Sequence, residues 1–104
     1  ICQHFIQENN MNAYIIVESK VIDLEKLKKY SQQAAKTVKA FEGEFIAKSE
    51  TRLLAGESQE TNGAVIKFES KEIAEAWYFS EDYQSLIPLR DQAMKCIFKV
   101  VNGL

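Results

Sequence analysis

The stretch that decides the fold runs from Phe68 to Arg90: Phe68-Glu-Ser70-Lys-Glu-Ile73-Ala74-Glu-Ala-Trp77-Tyr78-Phe-Ser80-Glu81-Asp82-Tyr83-Gln-Ser-Leu-Ile-Pro88-Leu-Arg90. A strand ends at Phe68. Ser70 is placed to cap a helix, because its hydroxyl can accept from a free amide of the first turn. The inward residues of that helix are Ile73, Ala74, Trp77 and Tyr78. Ser80 opens a second cap, and Glu81 and Asp82 suit the positive end of a helix dipole. Pro88 interrupts a continuous helix but is accepted in the first turn of a new one. The expectation is a broken helix, over 70–79 and then 80–94 with a bend.

Upstream, Ala13 to Val21 reads as a strand around the β-rich run Tyr14-Ile15-Ile16-Val17. Its two faces, Ala13-Ile15-Val17 and Tyr14-Ile16, are both apolar near the start. A strand with one wet face would alternate more strictly, so something is expected to cover each side of the sheet. Asp23 is placed to cap the next helix, and Glu25 suits its first turn. Leu24, Leu27, Tyr30 or Ser31, Ala34, Val38 and Phe41 form one apolar stripe, and Gly43 reads as the stop. Glu44 to Glu50 alternates weakly as a second strand. Arg52-Leu53-Leu54 is a short apolar piece, and a polar loop from Gly56 ends in Asn62-Gly63, a turn signal. Ala64 to Phe68 is the third strand. Lys95 to Val101 is the fourth, with Cys96, Phe98 and Val100 on one face.

The order β-α-β-β-α-β places two helices on one face of a four-stranded antiparallel sheet, the ferredoxin-like α+β arrangement. The opposite face is too apolar for water, which predicts a face-to-face homodimer that closes two sheets into an α+β barrel. A chain of 104 residues is one domain with a modest core, so a partner subunit helps it. We assign residues 12–104 to that domain and 1–11 to an N-terminal leader or extension.

Thirteen basic and fifteen acidic residues are intermixed, for a net charge of −2, and that argues against nucleic acid as a partner. Lys26, Lys28 and Lys29 read as the solvated face of a helix. Two cysteines, Cys2 and Cys96, are too few for a disulfide framework, and Cys96 reads as a small buried hydrophobe. No apolar run reaches the length of a membrane span, and the first ten residues do not read as a signal peptide. No membrane partner is therefore expected, and the expected location is cytoplasmic.

The residues also resemble a known family. The chain is similar to the domain-of-unknown-function family numbered 1330, within the dimeric α+β barrel superfamily. The resemblance covers residues 12–104 and rests on order and spacing. Its parts are Ala13-Tyr14-Ile15-Ile16-Val17, Asp23 with Tyr30, Gly43-Glu-Phe45, Gly56-Glu57 and Phe68-Glu-Ser70. Ala76-Trp77-Tyr78, Ser80-Glu-Asp-Tyr83-Gln84, Pro88-Leu89-Arg90 and Val101-Asn-Gly103 complete it. Two positions depart from the family's habit: Ser49-Glu50 replaces a glycine pair, and Glu81 stands where a proline is common. The resemblance implies the fold and a dimer, and no settled reaction.

The candidate ligand-binding residues are Arg90, Trp77, Tyr83 and Tyr30. A guanidinium is a planar fork for a carboxylate, and aromatic walls with a few polar tips are what small-molecule pockets use. Each also has a structural reading. Arg90 can pair with Asp82, Glu81 or Asp91, and the aromatics can simply pack a helix on the sheet. Asp23 is better explained as a cap than as an acid or base. Glu18 would act as a base only if buried. His4 is the only histidine and lies in the leader, so a core His dyad, a His-ligated haem or a His-rich metal site is not expected. No phosphate loop, nucleophile elbow or Cys-x-x-Cys occurs. No cofactor and no metal are expected, and no catalytic residue is assigned.

The leading expectation is a homodimer binding a small acidic or aromatic metabolite between sheet and helices, with Arg90 as anchor. The first alternative is a cofactor-independent oxygenase- or isomerase-like enzyme, suggested by fold analogy alone. The second is a structural or interaction dimer without a ligand.

Overall fold

The computed structural model describes residues 11–104. The expectations for Cys2, His4 and the first ten residues lie outside the described residues. Four strands form one antiparallel sheet: β1 (Ala13–Val21), β2 (Glu44–Glu50), β3 (Asn62–Phe68) and β4 (Met94–Asn102), in the order β2-β3-β1-β4. Helix α1 (Leu24–Ala40) connects β1 to β2. Three short helices, α2 (Lys71–Tyr78), α3 (Glu81–Gln84) and α4 (Ile87–Ala93), connect β3 to β4. This is the expected ferredoxin-like arrangement.

Alternation along β1 sorts the sheet into two faces. Ala13, Ile15, Val17 and Ser19 are buried beneath the helices, and the register sets Phe68, Ile66 and Ala64 of β3 beside the first three. On β4, Val100, Phe98 and Cys96 stand opposite Ile15, Val17 and Ser19, so they share that face. The other face carries Ile16 beside Val65, Tyr14 beside Val101 and Glu18 beside Ile97. Ile16, Ile97 and Val101 remain exposed there. Strand β2 is exposed along its whole length. It bulges between Phe45 and Ala47, a common device at a sheet edge.

Asp23 caps α1 as expected, accepting from the Lys26 amide at 3.1 Å. The end of α1 differs from expectation. The left-handed residue is Glu42, at φ 59°, rather than Gly43. Glu42 donates to the Lys39 carbonyl at 2.9 Å and Gly43 donates to that of Val38 at 2.9 Å, the paired bonds of a Schellman motif. Gly43 is needed for space instead. A Cβ there would stand 2.6 Å from Phe68 Cε1 and 2.8 Å from Val38 Cγ1.

Two more expectations are corrected. Asn62-Gly63 does not form a turn; it begins β3, with Asn62 beside Ser19 and Glu50, and Gly63 beside Glu18 and Ser49. A Cβ on Gly63 would approach Thr51 Cγ2 at 2.8 Å, so the glycine serves a close strand approach. The segment after β3 breaks after Tyr78 as expected, and where a bend was expected within 80–94 it is broken outright, between Gln84 and Ile87. Ser70 and Ser80 cap α2 and α3 as expected, accepting from the amides of Ile73 at 3.1 Å and Tyr83 at 3.2 Å. Pro88 falls in the first turn of a separate α4, which lacks a side-chain cap. Its missing N–H costs nothing there.

Helix α1 is held chiefly by α4 rather than by the sheet. Lys26 Nζ donates to Gln92 Oε1 at 2.7 Å, and the amides of Ile22 and Asp23 both donate to the Ala93 carbonyl, at 2.8 and 3.0 Å.

Replacing Gly43 by alanine is expected to lower stability by about 1–3 kcal/mol, the usual cost of forcing atoms into a packed interior. Urea unfolding measures it; an unchanged midpoint would show that Phe68 and Val38 yield freely.

Candidate functional site

The four sequence-selected residues do meet, under the helices. Trp77 (1% exposed) and Tyr83 (0%) are at the centre of the core, their rings 4.5 Å apart. Phe68 lies 5.4 Å from Trp77 on one side, and Phe98 lies 6.5 Å away. Trp77 donates its indole N–H to Thr37 Oγ1 at 2.9 Å, and Thr37 donates in turn to the Ala34 carbonyl at 2.7 Å. This ties α2 to α1. Trp77 and Tyr30 pack into the core and also border the larger cavity described below, whereas Tyr83 borders neither cavity.

A polar chain crosses this apolar centre. The hydroxyls of Tyr30 and Tyr83 are 2.6 Å apart, bridging α1 and α3. Arg90 on α4 donates from Nη1 to the hydroxyls of Tyr78 at 3.0 Å and Tyr83 at 3.3 Å. Its Nε donates to Asp91 Oδ1 at 3.1 Å. The guanidinium carbon lies 5.1 Å from the Phe98 ring centroid and 5.9 Å from that of Tyr78, within cation–π range. The Arg90 side chain is only 11% exposed whereas that of Asp91 is 61% exposed, so the ion pair is a screened surface contact and the phenols do the inner work. Asp91, one of the partners considered for Arg90, is thus confirmed, but it engages only one edge of the fork.

Burial raises the pKa of Tyr30 well above the ordinary phenol value, and Tyr83 next to it adds to the rise. Burial raises that of Tyr83 too, against the pull of the Tyr30 hydroxyl and Arg90. Burial alone would lower the pKa of Arg90, but its bonds to Tyr78 and Tyr83 outweigh that and the net change is upward. Two neutral phenols and a fixed cation result. Cys96 is half-buried, and burial raises its thiol pKa, so it is a neutral thiol rather than a nucleophile.

Two cavities flank this aromatic wall. The larger, of about 840 Å³, is a cleft between α1 and the sheet. Its depth is apolar, with Val17, Ile66, Trp77, Met94 and Phe98, and Tyr30 and Ser19 are among its lining residues. Lys28, Lys48 and Glu50 stand at its exposed rim. The smaller, of about 380 Å³, lies between α2 and β4 and is walled by Tyr78, Phe79, Arg90, Cys96 and Phe98. Tyr30 and Trp77 therefore line one cavity and Arg90 the other, with Tyr83 sealed between them. Glu18 lies on the opposite face of the sheet, away from both. Phe98 borders both cavities and was placed on the correct strand face by sequence, but its role was missed. Its signal was the period-two alternation that sets it opposite Val17. Among the described residues, no group of three His, Cys, Asp or Glu side chains is placed to hold a metal, and no helix is long and apolar enough to cross a membrane.

The family known as domain of unknown function 1330 matches over residues 12–104. The chain belongs to that family. No curated protein matches it. Among solved structures, a protein of unknown function from Rhodopseudomonas palustris is similar, with TM-score 0.76, 9% identity, and coverage of 99% of this chain and 90% of that one. SnoaB, a cofactor-independent oxygenase from Streptomyces nogalater, is similar at TM-score 0.66 and 5% identity, covering 89% of this chain and 93% of its own. A dimeric ferredoxin-like protein of unknown function from Thermobifida fusca is similar at TM-score 0.61 and 11% identity, covering 91% and 92%. At these identities the likeness is one of fold.

The raised phenol pKa values fix the sign of an alkaline effect. Above about pH 10 the unfolded chain releases these protons while the native state keeps them, so stability is whole below that pH and falls above it. The expected slope is up to about 1.4 kcal/mol per pH unit for each phenol. Urea unfolding of wild type and Tyr30→Phe between pH 9 and 12 tests this: the variant's curve should be flatter, and parallel curves would remove the coupling.

Proposed function

We propose that this protein is a homodimeric binding module that holds a small aromatic molecule in the cleft between α1 and the sheet. The observation that carries this reading is the cleft itself. It is of small-molecule size, apolar in its depth, and supplied with few polar groups, the pattern of ligand sites. An acidic group on the ligand, expected from sequence to meet Arg90, would meet it in the smaller cavity instead. Binding is favoured over catalysis because, among the described residues, the one carboxylate in the cleft wall is Glu50, at the rim, and its deep polar groups are hydroxyls. The oxygenase activity of SnoaB belongs to that protein, and the shared fold does not carry it over.

The dimer reading rests on the outer sheet face, where Tyr14 stands beside Val101 and Ile16 beside Val65, with Ile97 exposed and with Lys67, Lys99 and Glu18 interspersed. Exposed apolar groups clustered on one sheet face favour an interface. The similar protein from Thermobifida fusca is described as dimeric.

Trp77 is the only tryptophan of the chain and lines the cleft, so its fluorescence reports occupancy. Naphthalene is expected to quench it saturably. Ala64→Phe, which places a ring in the empty volume above the sheet floor, is expected to abolish quenching while leaving the fold intact by circular dichroism. Quenching unchanged by that substitution would place the probe elsewhere and overturn the reading. For the dimer, light scattering at micromolar concentration should give twice the chain mass, and Ile16→Glu with Val101→Glu should halve it. A wild-type monomer across that range would refute the pairing.

A further inference from the structure

Hydrogen-bond inventory gives the polar chain a direction. Arginine has five N–H donors and no acceptor, so Arg90 can only donate to Tyr83. Tyr83 is fully buried and must place its own proton on an acceptor. Among the described residues, the acceptor within reach of that hydroxyl is Tyr30, at 2.6 Å. In the neutral pair Tyr83 therefore donates and Tyr30 accepts. The raised pKa of both phenols keeps the pair neutral at ordinary pH. Tyr30 is left with a proton of its own, and among the described residues no second partner takes it. Tyr30 lines the larger cleft.

From this we infer that the cleft is a donor site, in which the Tyr30 hydroxyl, oriented by Arg90 through Tyr83, binds the carbonyl oxygen of an aromatic ketone or quinone-type ligand in preference to a hydrocarbon of the same shape. The inference rests on the proposed ligand role of the cleft and names the ligand class. Each bond in the series polarises the next, so a cation at the far end strengthens the donor at the near end. Ser19, the other deep hydroxyl of the cleft, can donate or accept and does not impose a direction. Arg90 is a positioning residue here: it lines the other cavity and acts through Tyr83.

The test uses a matched pair of probes, 2-acetylnaphthalene and 2-isopropylnaphthalene, which differ in the acceptor oxygen. Quenching of Trp77 should show the ketone binding about fivefold or more tightly, the range of one net hydrogen bond. The infrared carbonyl stretch of the bound ketone should move to lower frequency. Tyr30→Phe should remove both the preference and the frequency shift while the hydrocarbon still binds. Arg90→Met should reduce the frequency shift, a change that loss of packing alone would not produce. Equal binding of the two probes with an unshifted carbonyl would overturn the donor assignment and leave the cleft as a ligand site. If neither probe quenches Trp77, the ligand role and the donor assignment fall together. The wild-type pair decides the matter even where a variant fails to fold.

Discussion

Arg90 is a cation placed almost out of water, and a guanidinium cannot escape by losing its proton. Removing such a charge from water costs several kcal/mol unless acceptors replace the lost hydration. Among the described residues, the carboxylate that pairs with it is Asp91, which is exposed and holds only Nε. The remaining compensation comes from the phenol oxygens of Tyr78 and Tyr83 and from the ring faces of Phe98 and Tyr78. Those groups sit on α2, α3 and β4, and Tyr83 passes the requirement on to Tyr30 of α1. One buried charge therefore dictates how four elements come together, and Arg90, having no acceptor, can only donate to them.

The broken helix is what makes this possible. On one continuous helix, Tyr83 and Arg90 would share a face but stand about 10 Å apart along the axis, and Tyr78 would point elsewhere. Breaks at Phe79-Ser80 and at Ser85-Leu86 fold the three residues around one point. Local chemistry enforces the breaks. Ser80 donates to the Trp77 carbonyl at 2.7 Å and accepts from the Tyr83 amide at 3.2 Å, closing one helix and opening the next. Gln84 Nε2 donates to the Tyr78 carbonyl at 2.7 Å, satisfying another group freed by the break. Pro88 then starts α4 in a position that needs no amide.

The elements whose signals are local were legible in the sequence. Asp23, Ser70 and Ser80 announced their caps, and the alternation of β1 announced two apolar faces. Where the reading slipped, a long-range contact had replaced a local preference. Gly43 looked like a left-handed stop, but its lack of a side chain answers Phe68, a strand partner far along the chain. Asn62-Gly63 looked like a turn, but Gly63 is small because Thr51 crosses it. The site followed the same rule. Trp77, Tyr83, Tyr30 and Arg90 were visible as a group because three of them lie within one short stretch. That they divide two cavities was not visible, because the division depends on Phe98 and on how far α1 stands from the sheet.

That stand-off follows from how α1 is anchored. Its first turn is tied to the end of α4 by Lys26 and by the shared Ala93 carbonyl, and its middle is tied to the buried helices by Tyr30 and by Thr37. These polar anchors lie on the side of the helical layer, while the cleft separates part of the helix from β2 and β3. A chain seeking only stability would close such a gap with larger side chains, since apolar surface left wet forfeits about 25 cal/mol per Å². Here the floor includes Ala64, and the facing helix presents Ala34, Ala35 and Ser31 beside Leu24, Leu27 and Val38. The small residues among them leave room, while the polar chain fixes the wall against which an occupant would rest. A core that is tightly bonded on one side and thin on the other is the arrangement expected of a receptacle, and it is the physical reason for proposing a ligand under α1 rather than on the surface.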